Sequence, residues 1–80
     1  MSTQKLTNIS LARYRLFLSR AGCICARQSG GHEMWTKVGL LRPITVQTHI
    51  DPVPEFIIKN GLRTLGLSRA DFFRLLEDAS

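Results

Sequence analysis

Two short segments in which apolar and polar residues alternate are joined by the turn Ser29-Gly30-Gly31. Alternation with a period of two is typical of β-strands, and so short a link that contains glycine is typical of a tight hairpin. The segment that begins at Cys23 and the segment from His32 to Val38 are therefore predicted to pair as antiparallel strands. This hairpin is the feature that most constrains the fold.

A helix is predicted before the hairpin, because apolar residues recur at steps of three and four from Leu11 to Ala21. Ser10 is suited to cap the start of this helix, and Gly22 is suited to end it. Residues 1–8 show no such pattern and are expected to form a loose terminus. Three arginines fall on or near the far side of the helix and are expected to be solvated: Arg13, Arg15 and Arg20.

One more strand and two more helices are predicted after the hairpin. Residues 44–49 alternate again, and Pro52 and Pro54 then interrupt the strand, so that a helix begins close to Pro54. Gly66 ends this helix, and Ser68 with Asp71 has the spacing of a capping box for a short last helix. The predicted order is helix, three antiparallel strands, helix and short helix, which is an α+β fold.

The length and charge of the chain limit the classes of function. Eighty residues are enough for one domain, predicted over residues 1–80. Lys and Arg number 11 against 6 Asp and Glu, and the formal net charge is +5. The basic residues dominate positions 1–50, which hold seven of them and one acidic residue. Such a balance favours a polyanionic partner, either a nucleic acid or an acidic protein.

Membrane insertion and metal binding are not expected. No run of 18 apolar residues occurs, which argues against a membrane span and a signal peptide. A cytoplasmic location with reduced cysteines is the simplest interpretation, and Cys23 and Cys25 are expected to be buried or half-buried. Paired Cys-x-x-Cys spacing is missing, so that a site built from the cysteines with His32 and His49 is disfavoured.

Several short motifs follow one another in a fixed order between about Leu16 and Leu76. They are a helix that ends near Gly22, the Gly-x-His turn at residues 30–32, Trp35, His49 followed by prolines, and the run Gly66-Leu67-Ser68 before Phe72. Together these motifs resemble the HicA messenger-RNA interferase toxins of bacterial toxin–antitoxin pairs. One position departs from that pattern, because the family usually has Ser or Thr immediately before its histidine and this chain has Gly31.

The resemblance implies a fold like that of double-stranded-RNA-binding domains and a metal-independent endoribonuclease. It also implies that His32 is the catalytic residue and that a cognate HicB-like antitoxin covers the His32 face. The chemistry is compatible, because the 2′-hydroxyl of RNA is the nucleophile and a histidine can either accept its proton or protonate the leaving 5′-oxygen. A second proton-transfer group is left open between water, His49 and Lys37, although His49 is assigned mainly a structural role.

The remaining site residues are predicted to contact RNA. Trp35 is expected in the core, although aromatic residues also stack on bases. Lysines and arginines near the hairpin and on the helix predicted to begin close to Pro54 are candidates for phosphate contacts. The whole predicted set is Gly30, Gly31, Arg27, Lys37, Arg42, Lys59 and Arg63. A non-catalytic RNA-binding module is the alternative function, and a domain that binds only an acidic protein is a third.

Overall fold

Three helices and three strands are formed by residues 5–77, the part of the chain that this computed structural model describes. Their bounds, in chain order, are α1 Leu11–Arg20, β1 Ile24–Ser29, β2 His32–Thr36, β3 Ile44–Gln47, α2 Glu55–Leu65 and α3 Arg69–Glu77. The predicted α+β class and the order of the elements are confirmed. The second and third strands end two residues earlier than the alternation indicated. No helix within residues 5–77 is long and apolar enough to cross a membrane.

The strands form one antiparallel sheet in the order β1-β2-β3. The predicted hairpin is present, but Ser29 pairs with His32 and belongs to β1, so the glycine link consists of Gly30 and Gly31 alone. Gly30 has a φ of 59°, in the left-handed region that glycine adopts at little cost. The register between β1 and β2 shifts between Cys25 and Arg27, which marks a bulge in the edge strand.

One face of the sheet is buried and the other is open. Residues directly opposite each other in a sheet point to the same face, and the pair Glu33 and Val46 is buried on the inner face. The neighbouring pair His32 and Gln47 therefore points outward, and His32 is exposed. All six residues of β1 are exposed, so this strand contributes little to the core.

The helices supply most of the core. The rings of Phe17 in α1 and Phe72 in α3 lie 4.6 Å apart and both are fully buried. Leu6 is only 2% exposed, so the expectation of a loose terminus through residue 8 is wrong at this position. Residues 1–4 lie outside the described part of the chain. Leu6 belongs to the same core cluster as Ile9, whose backbone forms an isolated antiparallel bridge with Val53.

The predicted helix caps are present. Ser10 Oγ accepts a hydrogen bond from the Arg13 amide at the start of α1, and Gly66 ends α2 with a φ of 71°. The Ser68 and Asp71 side chains each accept a hydrogen bond from the other residue's backbone amide. These caps depend on neighbouring residues, which explains why the sequence predicts them.

Three expectations about side chains are wrong. Arg15 forms an ion pair with the buried Glu33, and Arg20 Nη1 donates to the carbonyl oxygen of Leu75. Neither arginine therefore lies on a purely solvated face. Cys25 is exposed, whereas Cys23 is buried as expected. The difference arises because Cys25 lies in the exposed edge strand.

Candidate catalytic site and nucleic-acid interface

His32 lies at the first position of β2, immediately after the glycine link. Its side chain is on the open face of the sheet and is exposed. Its backbone is paired on both sides, with Ser29 in β1 and Gln47 in β3. The sheet therefore holds the backbone of His32 in place while the imidazole stays accessible to a substrate.

His49 lies close to His32, although 17 residues separate them in the sequence. The turn that follows β3 is tied to the glycine link by a hydrogen bond of 2.8 Å from the Thr48 amide to the Gly31 carbonyl oxygen. The two imidazole rings are 6.5 Å apart, centre to centre, with an angle of 83° between their planes. Both rings are exposed at the same end of the sheet.

Gly31 leaves the space that the His49 ring occupies. A Cβ atom added at Gly31 would lie 3.0 Å from His49 Nδ1 and 3.6 Å from His49 Cε1. The φ of Gly31 is not in the left-handed region, in contrast to that of Gly30. Gly31 therefore matters through its lack of a side chain, because a Cβ atom there would require the His49 ring to shift by a few tenths of an ångström.

Glu33, the residue after His32, fixes β2 to α1. Its carboxylate accepts hydrogen bonds from Arg15 Nη2 at 2.8 Å, from Arg15 Nε at 3.1 Å and from Trp35 Nε1 at 3.0 Å. Burial favours the neutral carboxyl, but the two hydrogen-bond donors and the charge of Arg15 outweigh it and lower the pKa of Glu33. Glu33 is thus a charged residue that, through its ion pair with Arg15, holds β2 against α1.

Two predicted phosphate-binding residues lie near β1 and the end of α1. Lys37 Nζ donates to the carbonyl oxygen of Ala21 at 3.0 Å, where it stabilises the carboxyl end of the helix. Burial raises the pKa of the nearby Cys23 thiol, and the charge of Lys37 opposes that shift. Arg27 is exposed on β1. Lys37 therefore has a structural contact that the sequence did not indicate.

Two other predicted residues, Arg42 and Arg63, line the same open groove. The groove lies between the segment that leads into β3 and the helix α2, and Asn60 also lines it. Both arginines are exposed. Lys59, on the same helix, forms an exposed ion pair with Glu55 at 3.2 Å and does not line this groove.

Five of the predicted residues form two groups at opposite ends of β3, whereas Arg27, Lys37 and Lys59 belong to neither group. His32, Gly30 and Gly31 lie with His49 at one end, and Arg42 lies with Arg63 at the other. The strand spans Ile44–Gln47, a length of roughly 10 Å. The role of Glu33 was not predicted, although an acidic residue inside a predicted strand was a signal, since buried carboxylates need partners.

Trp35 is partly buried and packs against the core, in agreement with the expected location. Within residues 5–77, no three His, Cys, Asp or Glu side chains are grouped in a way that could hold a metal ion. Comparison of the chain with protein-family models, with curated proteins and with solved structures found no match.

Proposed function

We propose that this protein is a small endoribonuclease, the toxin of a toxin–antitoxin pair, which cleaves messenger RNA without a metal ion. The observation that carries the proposal is the position of His32. It is an exposed imidazole at a hairpin, its backbone is paired on both sides, and the next residue is anchored by Arg15. An acid–base catalyst needs this combination of fixed position and open access.

The motifs at residues 30–32 and 66–68 support the same function, because they resemble the HicA toxins. The α+β arrangement of one sheet covered by helices is compatible with the double-stranded-RNA-binding-like fold that we propose for it. The role of His32 would be to move a proton during attack of the 2′-hydroxyl on the neighbouring phosphate. The residue before it, Gly31, supplies no hydroxyl group, so the chemistry cannot depend on one there.

The basic surface supports both proposed partners. Arg42 and Arg63 line a groove that could hold an RNA backbone, and Arg27 adds positive charge along the exposed strand β1. A cognate HicB-like antitoxin with an acidic surface would cover the same residues together with the His32 face. The proposed location of both proteins is the cytoplasm, where messenger RNA is available.

Induced expression in bacteria tests the proposed function directly. We expect growth arrest and decay of messenger RNA with the wild-type chain, and neither effect with His32→Ala at an equal level of folded protein. Purified wild-type protein should produce RNA fragments with new 5′-hydroxyl ends in the presence of a chelator. Ser19→Ala, an exposed position on α1, is the matched control and should remain toxic.

Two outcomes would contradict the proposal. RNA binding without cleavage by the wild-type protein would identify a non-catalytic RNA-binding module of the same shape. An absence of both cleavage and RNA affinity at physiological salt would leave a domain that binds an acidic protein.

A further inference from the structure

The two histidines, His32 and His49, lie close enough together to act on the same substrate group. The imidazole ring of His49 lies beside that of His32, with 6.5 Å between the ring centres, and both residues are exposed. The turn that carries His49 is hydrogen-bonded to the glycine link that carries His32. One local unit, built from residues 30–32 and 47–49, therefore holds both imidazoles.

We infer that His32 and His49 form an acid–base pair that acts on a single phosphodiester of RNA, an inference that rests on the proposed function. In an in-line displacement the attacking 2′-oxygen and the leaving 5′-oxygen lie on opposite sides of the phosphorus, and each needs an imidazole nitrogen within about 2.8 Å. Rings whose centres are 6.5 Å apart meet this requirement by turning about their side-chain bonds. The phosphate then lies between the two rings.

The reaction balances with one neutral and one protonated imidazole. The neutral imidazole accepts the proton of the 2′-hydroxyl as the bond from O2′ to phosphorus forms, and the imidazolium donates a proton to O5′ as the bond from phosphorus to O5′ breaks. The products are a 2′,3′-cyclic phosphate and a 5′-hydroxyl. The two rings have then exchanged protonation states, and proton exchange with water restores them without an additional reactant.

Gly31 lies directly beside the ring of His49. Because a Cβ at this position would lie 3.0 Å from His49 Nδ1, Gly31→Ala requires the exposed His49 ring to shift by a few tenths of an ångström. We therefore expect Gly31→Ala to alter the cleavage rate through His49 while leaving His32 in place.

The test compares a natural oligoribonucleotide with the same oligomer carrying sulfur in place of the bridging 5′-oxygen at one linkage. A thiolate leaves readily without a proton, so the sulfur substrate does not need a general acid. We expect His32→Ala and His49→Ala each to lower the cleavage rate of the natural oligomer by about 10²–10⁴-fold. The sulfur substrate should restore the rate of one of these variants, the one without its acid, and not of the other.

The controls distinguish failure of the acid–base pair from failure of the proposed function and from misfolding of a variant. His49→Gln serves as a second variant, and circular dichroism with thermal unfolding must show that each variant folds. If the folded His49→Ala and His49→Gln variants are fully active while His32→Ala is inactive, the acid–base pair is refuted and the proposed endoribonuclease function still stands. Equal losses of His49→Ala on both substrates, without rescue of His32→Ala, would also overturn it. A wild-type protein that does not cleave RNA would instead overturn the proposed function itself.

Discussion

At the scale of single residues, Glu33 has the contacts that most strongly couple the candidate site to the core. Its carboxylate bonds to Arg15 on α1 and to Trp35 on its own strand, and it is 7% exposed. Glutamine at this position removes the charge and replaces one of the two acceptor oxygens with an NH₂ group, so at least one of these donors loses its acceptor. We expect Glu33→Gln to lower the free energy of unfolding at pH 7 by about 1–3 kcal/mol, a value typical for hydrogen bonds to a charged group.

The same carboxylate makes the stability depend on acid. Because the pKa of Glu33 is lowered in the folded protein, the unfolded chain takes up the proton first as the pH falls. The stabilisation is complete above the ordinary Glu pKa of about 4.3 and disappears as the pH falls through the lower folded pKa. Urea unfolding between pH 7 and pH 3 should therefore show the difference between wild type and Glu33→Gln shrinking at acid pH.

The matched control for Glu33 is Glu55, which forms an exposed ion pair with Lys59. Glu55→Gln should change the stability by no more than about 0.5 kcal/mol, because exposed pairs contribute little. Equal effects of the two substitutions at every pH would contradict the anchoring role of Glu33.

At the scale of elements, the close contact between α1 and α2 explains why α2 contains a glycine, Gly61, although glycine is unfavourable inside a helix. The sequence indicates a cost of about 1 kcal/mol for glycine inside a helix. However, Gly61 is buried, and a Cβ there would collide with Tyr14 Oη from α1. The Tyr14 hydroxyl is itself buried and has no hydrogen-bond partner within residues 5–77, and burial raises its pKa.

A double-mutant cycle measures this contact. Gly61→Ala should destabilise the protein by about 1–3 kcal/mol, because the buried Tyr14 ring cannot move aside without strain. Tyr14→Phe should be close to neutral, since it removes an unpaired hydroxyl. In the Tyr14→Phe background the cost of Gly61→Ala should fall or change sign. Chemical unfolding of the four proteins gives the coupling energy, and additive effects would contradict the contact.

Local patterns predicted the elements well, and long-range contacts account for what they missed. The hairpin, the Ser10 cap and the capping box depend on residues two to four apart, and each was predicted. The burial of Leu6 and the pairing of Arg15 with Glu33 depend on partners far along the chain. The approach of His49 to His32 is of the same kind, because a hydrophobic pattern does not report which turns meet.

At the scale of the whole molecule, the net charge of +5 implies that the proposed binding of RNA should weaken as the salt concentration rises. Arg42 and Arg63 line one groove, whereas Arg74 pairs with Asp71 on α3. If the groove binds single-stranded RNA, the double variant Arg42→Ala/Arg63→Ala should reduce the slope of log affinity against log salt by about 1.4, or about 0.7 for each contact.

Fluorescence anisotropy with a labelled oligoribonucleotide at several salt concentrations measures this slope. The measurement is best made in the His32→Ala background, so that cleavage does not interfere. Arg74→Ala is the control and should leave the slope unchanged. An identical slope for the double variant and its parent would remove the groove from the RNA-binding surface.

The exposed strand β1 has a consequence for self-association. An edge strand offers a row of backbone groups with which a second copy can pair, and strands of this kind are sites of aggregation. In β1 the bulge between Cys25 and Arg27 breaks the even spacing of that row, and the exposed Arg27 places a charge on it. Both features disfavour pairing of β1 with the same strand of a second molecule. The bulge and the arginine should therefore protect this edge of the sheet from the intermolecular pairing that leads to fibrils.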